Sequence, residues 1–394
     1  MKTFVLIICL FASSLSHAQR YAKIHNKAIV VDSHNDILTK TMMYGFVFDK
    51  DLAGKSYSDL NRWKQGGLDM QFFSVWSDGK EAEPFKYANR QMDSLDAIVQ
   101  RNPDKIVRVM NSSALLKVVK QHKIAAMFGI EGGHFIENDL NKLDSLYKRG
   151  ARYMTLTWNN STSWATSAFD ETFTKDLKHK GLTQFGKQVV RRMNELGMMV
   201  DISHVGEQTF WDVINTTTKP VVASHSCVYT LCHHQRNLKD DQIKAIAKNA
   251  GVIQVNFFSA FLDSTYKEKE TAFYEKHKAE CDSMIKAGRE DFIEDYIFST
   301  YKTEAEPLRA PFSLLIQHIE YIINLVGVDH VGLGSDFDGT PSVPIGLDDV
   351  TTYPLITKAL IEKGYNKKEI NKILGGNILR VLKANEVHQI RINK

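Results

Sequence analysis

The chain has 394 residues, of which 43% are hydrophobic, 24% charged and 10% aromatic, and its formal net charge is +4. These proportions exclude a disordered, collagen-like or low-complexity chain. The small, dispersed charge, with no basic run interleaved with aromatics, excludes a nucleic-acid binder.

Residues 1–18, MKTFVLIICLFASSLSHA, read as a secretory leader. Lys2 supplies the positive end, Phe4 to Leu15 the apolar stretch, and Ser16-His17-Ala18 a small-residue cleavage site. Cleavage after Ala18 would export residues 19–394 to the periplasm or the medium with a net charge of +3, since only Lys2 is lost. It would also remove Cys9 and leave Cys227, Cys232 and Cys281, enough for one disulfide at most. No other apolar run reaches the ~18 residues that a membrane span needs.

Eight short apolar runs follow: Ile29–Val31, Met70–Val75, Ile124–Ile130, Tyr153–Thr157, Met198–Ile202, Val221–Ala223, Val252–Val255 and Val331–Leu333. Continuous runs of this length suit strands buried on both faces. Helical patterns lie between them. Leu140–Lys148 ends before Gly150. Leu182, Phe185, Val189, Val190, Met193 and Leu196 keep helical spacing up to Gly197. Pro311–Leu325 starts on a proline, and Asn366–Leu382 opens with Asn366 and Glu369 as a capping box. The length alone allows two or three domains of ~150 residues, but strands alternating with helices predict βαβ units, and eight of them predict one α/β domain over 19–394, a (β/α)₈ TIM barrel. Two segments exceed barrel spacing: 77–123, with room for extra helices, and 262–310, rich in Lys, Glu and Tyr, which predicts a helical insertion over one face.

A parallel barrel builds its active site at the C-terminal ends of its strands. The first run leads into Asp32-Ser33-His34-Asn35-Asp36, the third into Glu131-Gly132-Gly133, the fifth into Ser203-His204, the sixth into Ser224-His225, and the eighth into Ser335-Asp336-Phe337-Asp338. His34, Asp36, Glu131, His204 and His225 make an N/O ligand set that suits zinc. One cation needs three or four protein ligands. Five with a central glutamate predict two cations bridged by Glu131, and two metals ~3.5–4 Å apart can share a hydroxide nucleophile at neutral pH. The glycines after Glu131 let the backbone approach the cluster closely. Asp336, at the end of the last strand, is placed to take a proton from a metal-bound water and return it to a leaving amine. Asp338 is assigned to the turn before Gly339. Arg236, eleven residues beyond His225, could hold a substrate carboxylate bidentately.

The segments DSHNDIL, GGLDMQFFSVW, GIEGGH, TLTWNNSTSWA, DISH, ASHS with the later RN, and GLGSDFDG resemble, in order and spacing, the membrane (renal) dipeptidase family of zinc metallopeptidases. The likeness runs from about His34 to about Leu382. It implies a (β/α)₈ barrel holding two Zn²⁺ per chain that hydrolyses dipeptides, often with a D-residue at the C-terminal position, and it is compatible with a homodimer. By the same resemblance His34 and Asp36 would bind one zinc, His204 and His225 the other, and Glu131 both. Asp336 matches the proton-shuttling acid, and Arg236 the arginine that pairs with the dipeptide's carboxylate. Two positions depart from the family pattern. Trp158 stands where a histidine usually contacts the substrate near the scissile bond, and tryptophan cannot accept a proton. Phe257, Phe258 and Phe261 stand after the seventh run, where a tyrosine is common. Both departures bear on substrate choice and leave room for an alternative reading: a binuclear amidohydrolase acting on N-acyl amino acids or another small carboxylated amide.

Overall fold

The computed structural model describes residues 21–387, and the leader expected over 1–18 lies outside the described residues. Nine strands form: β1 (Val31–Asn35), β2 (Met70–Trp76), β3 (Ile106–Arg108), β4 (Ile124–Glu131), β5 (Ala151–Thr155), β6 (Met199–Asp201), β7 (Val222–Ser226), β8 (Val252–Val255) and β9 (Val331–Leu333). Eight pair in parallel in the order β1-β2-β4-β5-β6-β7-β8-β9. The ring is drawn shut beyond β9: Asp336 N–H donates to His34 O (3.1 Å) and Asp36 N–H to Phe337 O (2.9 Å). With helices between successive strands, this is a (β/α)₈ barrel.

Each of the eight apolar runs lies in or beside one of these barrel strands, but β1, β5 and β7 are shifted from theirs by two residues or more. The first strand begins at Val31 and continues through Asp32, Ser33, His34 and Asn35, all buried. Hydrophobicity places it early because these polar residues are buried by virtue of their partners: Asp32, for example, accepts from Ser335 N and Oγ and from Tyr353 Oη. β7 likewise runs on past its apolar run, through Ser224 and His225 to Ser226, whereas β5 starts earlier, at Ala151. The ninth strand, β3, is three residues long and ends in arginine, too short for an apolar run to reveal. It flanks the first half of β4, while β5 takes the second half.

The barrel interior is filled by residues at alternate positions, including Val31, Phe72, Ala125, Met127, Tyr153, Met199, Val222 and Val252. The helix Asn377–Asn385 closes the N-terminal end with Ile378, Val381 and Leu382. A larger apolar layer joins the sheet to the surrounding helices. The helices start and stop as the residue chemistry dictates. Gln184–Leu196 ends on Gly197 in the left-handed region (φ 84°), and Asn366 and Glu369 complete their capping box. Residues 266–305 form four helices with a small core of their own built on Tyr266, Phe273, Ile297 and Phe298. Lys40 and Tyr44, on the helix after β1, both bond Asp295 of this segment. All three cysteines of the described residues are free. Among those residues no helix is long and apolar enough to cross a membrane.

Candidate metal centre and active site

Along β4, Ala125, Met127, Gly129 and Glu131 share one face by strand periodicity. This carries Glu131 to the barrel mouth above a packed interior. Gly129 is required beneath it, because a Cβ there would lie 1.9 Å from Tyr153 Cζ. Gly132 has φ 120°, and a Cβ on it would meet the His134 ring at 2.3 Å, so the backbone after Glu131 can turn and pack only without a side chain.

His34 and His225 reach the same point by a different device. The register of β1 against β2 shifts between Asp32 and Asn35, and that of β7 against β8 between Ala223 and Ser226. Each histidine lies inside an irregularity of its strand, the kind of feature that re-aims a side chain. His204 and Asp336, just past β6 and the end of β9, have positive φ (65° and 61°), a backbone cost borne at sites where side-chain placement matters.

These residues converge on Glu131. Its Oε2 lies 3.1 Å from His34 Nε2; its Oε1 lies 2.9 Å from His204 Nε2 and 3.5 Å from His225 Nε2. His34 Nε2 also lies 3.3 Å from Asp36 Oδ2 and 3.9 Å from Asp336 Oδ1. Ligand atoms of His34, Glu131 and His225 all fall within 4.8 Å of one another, as do those of His34, Asp36 and Asp336. His34 therefore belongs to both groups, and Glu131 to the first alone.

The other ring nitrogen of each histidine decides what the centre can hold. Tyr153 Oη donates to Ser33 O, so at 2.9 Å it accepts from His34 Nδ1. Ser224 Oγ donates to Asp201 Oδ2 and accepts from His225 Nδ1 at 2.8 Å. Asn159 Oδ1 accepts from His204 Nδ1 at 3.1 Å. With each Nδ1–H engaged, all three Nε2 atoms are lone-pair donors. His204 and His225 then face each other, Nε2 to Nε2, at 3.0 Å, a repulsive contact unless a cation or proton stands between them. Three imidazole nitrogens and three carboxylates around one buried space are a donor set that fits divalent cations.

The electrostatics agree. Burial works to raise the Glu131 carboxyl, but the His34 charge and the close imidazoles of His204, His225 and His34 hold it well below the usual carboxylate range. Burial, reinforced by the Arg236 charge, lowers His204 to about 3, and burial with the His34 charge holds His225 well below the usual imidazole value. Burial also works to lower His34, but Tyr153, Glu131 and Asp36 outweigh it and raise it well above that value. Positive charge, whether proton or divalent cation, is drawn to this spot. Asp336 is pushed up to about 7, chiefly by burial, with Asp36 and Glu131 adding and His34 opposing. Its Oδ2 accepts from Asn256 Nδ2 at 2.8 Å, leaving Oδ1 toward the cluster.

Arg236 is 5% exposed and donates from Nη2 to His225 O (3.3 Å), and its Nε has no partner among the described residues. Its guanidinium stands 5.4 Å over the Phe261 ring, and with His204 it borders a cavity of about 390 Å³. Trp158 packs against His204 (ring centroids 6.3 Å) and edge-on against Trp76 (5.1 Å). Asp338 accepts from Ser56 Oγ and Tyr57 N–H and ties down that loop. Sequence reasoning passed over Tyr153, Asn159, Asp201, Asn256 and Trp76. A signal existed for one: a hydroxyl such as that of Tyr153, inside a strand buried on both faces, has to find a partner.

A barrel of this kind with a histidine–carboxylate cluster at its C-terminal mouth defines a metal-dependent hydrolase. The comparisons narrow the class. The model of the membrane dipeptidase family (peptidase family M19) matches residues 18–394, and the chain belongs to that family. It is 32% identical over 397 residues to an uncharacterized dipeptidase of Schizosaccharomyces pombe, covering 95% of this chain and 85% of the relative. It is similar in structure to the probable dipeptidase PvdM of Pseudomonas aeruginosa (TM-score 0.76, 25% identity, 94% and 98% of the two chains). Its fold also matches a metallopeptidase of Rhodobacter sphaeroides bound to a phosphinate mimic of L-Ala-D-Ala (TM-score 0.72, 22% identity, 91% and 100% covered). The chain is a metallo-dipeptidase of this family.

Proposed function

We propose that the protein is an exported dipeptidase that works with two zinc ions, one on the His34–Asp36 side of Glu131 and one on the His204–His225 side, and that it accepts a D-residue at the C-terminal position. The observation that carries the reading is the division of the Glu131 carboxylate, one oxygen toward His34 at 3.1 Å and the other toward His204 at 2.9 Å. A pair of divalent cations, when bound, supplies Lewis acidity and an acidified water at neutral pH. The rest is the work of the chain's own groups. Asp336 holds a proton at Oδ1, anchored through Oδ2 by Asn256, and passes it to the leaving nitrogen. Arg236, buried beside His225 with an Nε that has no partner among the described residues, pairs with the substrate carboxylate. Tyr153, Ser224 and Asn159 keep the three imidazoles in one tautomer. Export rests on the leader-like residues 1–18.

Trp158 keeps a second reading open. It brings no proton acceptor to the position where the family pattern usually has histidine, so an N-acyl amino acid, which needs Arg236 but no free amine, is the rival substrate. The test is hydrolysis of L-L and L-D dipeptides and their N-acetylated analogues by zinc-loaded protein, beside His204→Ala, with metal content measured for both. Cleavage of free dipeptides by the parent alone, at two zincs per chain, supports the first reading. Cleavage of only the acetylated compounds supports the second, and a fully loaded protein inert on the whole panel overturns both.

A further inference from the structure

Two tryptophans meet on one side of the barrel mouth. Trp76 ends β2 and Trp158 follows β5; both are half-buried, and their rings meet at 73° and 5.1 Å, a stable edge-to-face pair. Trp158 continues on to the His204 ring, so the pair runs from the metal centre outward. Arg236 lies on the loop after β7. In the ring order β1-β2-β4-β5-β6-β7-β8-β9, β2 stands diametrically across from β7. A dipeptide with its carboxylate on Arg236 and its scissile bond at the centre therefore extends its N-terminal residue toward Trp76 and Trp158. The cavity shared by His204 and Arg236 is of mixed character, with Glu171, Lys180, Glu207 and Lys239 beside Phe173 and Tyr229, and neither tryptophan lines it.

We infer that Trp76 and Trp158 form an aromatic wall that selects dipeptides carrying a large apolar or aromatic side chain on the N-terminal residue. This rests on the dipeptidase reading above and adds a specificity to it. Stacking an apolar side chain on two indoles removes more water-exposed surface than a small or charged side chain can, and pocket contacts of this size are worth roughly ten- to a hundredfold in kcat/KM.

The experiment is kcat/KM for Phe-Ala, Leu-Ala, Ser-Ala and Asp-Ala with the zinc-loaded parent, Trp76→Ala, Trp76→Phe and Trp158→Ala, each checked by thermal melt and metal content. The parent should favour Phe-Ala and Leu-Ala over Ser-Ala and Asp-Ala by about tenfold or more. Trp76→Ala should collapse that ratio through KM on the apolar substrates, and Trp76→Phe should retain most of it. A parent indifferent to the N-terminal side chain, or a Trp76→Ala ratio equal to the parent's, overturns the wall while leaving the dipeptidase standing. A loaded parent that cleaves none of the four overturns the dipeptidase reading, and the wall falls with it.

Discussion

Among single side chains, which nitrogen of each histidine is left bare matters as much as which histidines are present. The positions of His34, His204 and His225 were legible as polar residues at the ends of apolar runs, because a parallel barrel gathers its strand ends. Their tautomers were not, because those are set by Tyr153, 119 positions from His34, by Asn159, 45 positions from His204, and by Ser224, which neighbours His225 but is oriented by Asp201, 23 positions from it. Arg236 was readable as an arginine past a strand and, by resemblance, as the partner of a substrate carboxylate; its burial, with burial lowering it to about 10 and the Asp336 and Glu131 charges opposing, belongs to the fold. It remains a cation at neutral pH and has no carboxylate partner among the described residues. Replacing it by methionine should raise KM for dipeptides roughly 100-fold with a smaller change in kcat, since a charge-assisted pair is lost in ground and transition states alike. Lysine should restore only part of this, because it cannot present the planar fork. Steady-state kinetics decide it, and an unchanged KM for Arg236→Met would remove Arg236 from the carboxylate site.

At the level of elements, the strands were visible as apolar runs, whereas the bulges that turn His34 and His225 toward the centre were not. A bulge is a mismatch between two strands, and neither strand records it alone. Gly129 shows how one element serves another. It lies mid-strand on β4, where glycine weakens a sheet, and it is there because the Tyr153 ring from β5 crosses it. Alanine at 129 would place its Cβ 1.9 Å from Tyr153 Cζ, and the ring is fully buried with its hydroxyl bonded to His34 and Ser33. Gly129→Ala should therefore destabilise the protein by about 1–3 kcal/mol and also weaken metal binding, as Tyr153 is pushed off His34. Denaturant melts and a zinc titration read the two effects separately. A variant with the parent's melting midpoint and zinc affinity would show that the ring is not held as described.

For the whole molecule, two kinds of cohesion meet at the barrel. The interior below the mouth is apolar and indifferent to metal, while the mouth gathers Asp36, Glu131 and Asp336 within reach of one imidazole. Stripping metal with a chelator should leave far-UV circular dichroism unchanged yet lower the melting temperature by roughly 5 °C or more, because a cation held at 100 to 1,000 times its dissociation constant contributes about 3–4 kcal/mol to the folded state. Zinc readdition should restore it, and a melting temperature insensitive to chelation would mean that the cluster holds itself together without a cation.

The sequence by itself determined the barrel, because buried parallel strands must be apolar and helices must carry their caps and stripes in local order. It also determined which histidines and carboxylates stand at the strand ends and the family motifs that contain them. Only the tertiary structure decided the division of Glu131 between two groups of histidines, the nitrogen each histidine presents, the burial of Arg236 and the meeting of Trp76 with Trp158. Each of these joins residues far apart in the chain, and such distances are set by closure of the ring rather than by local preference.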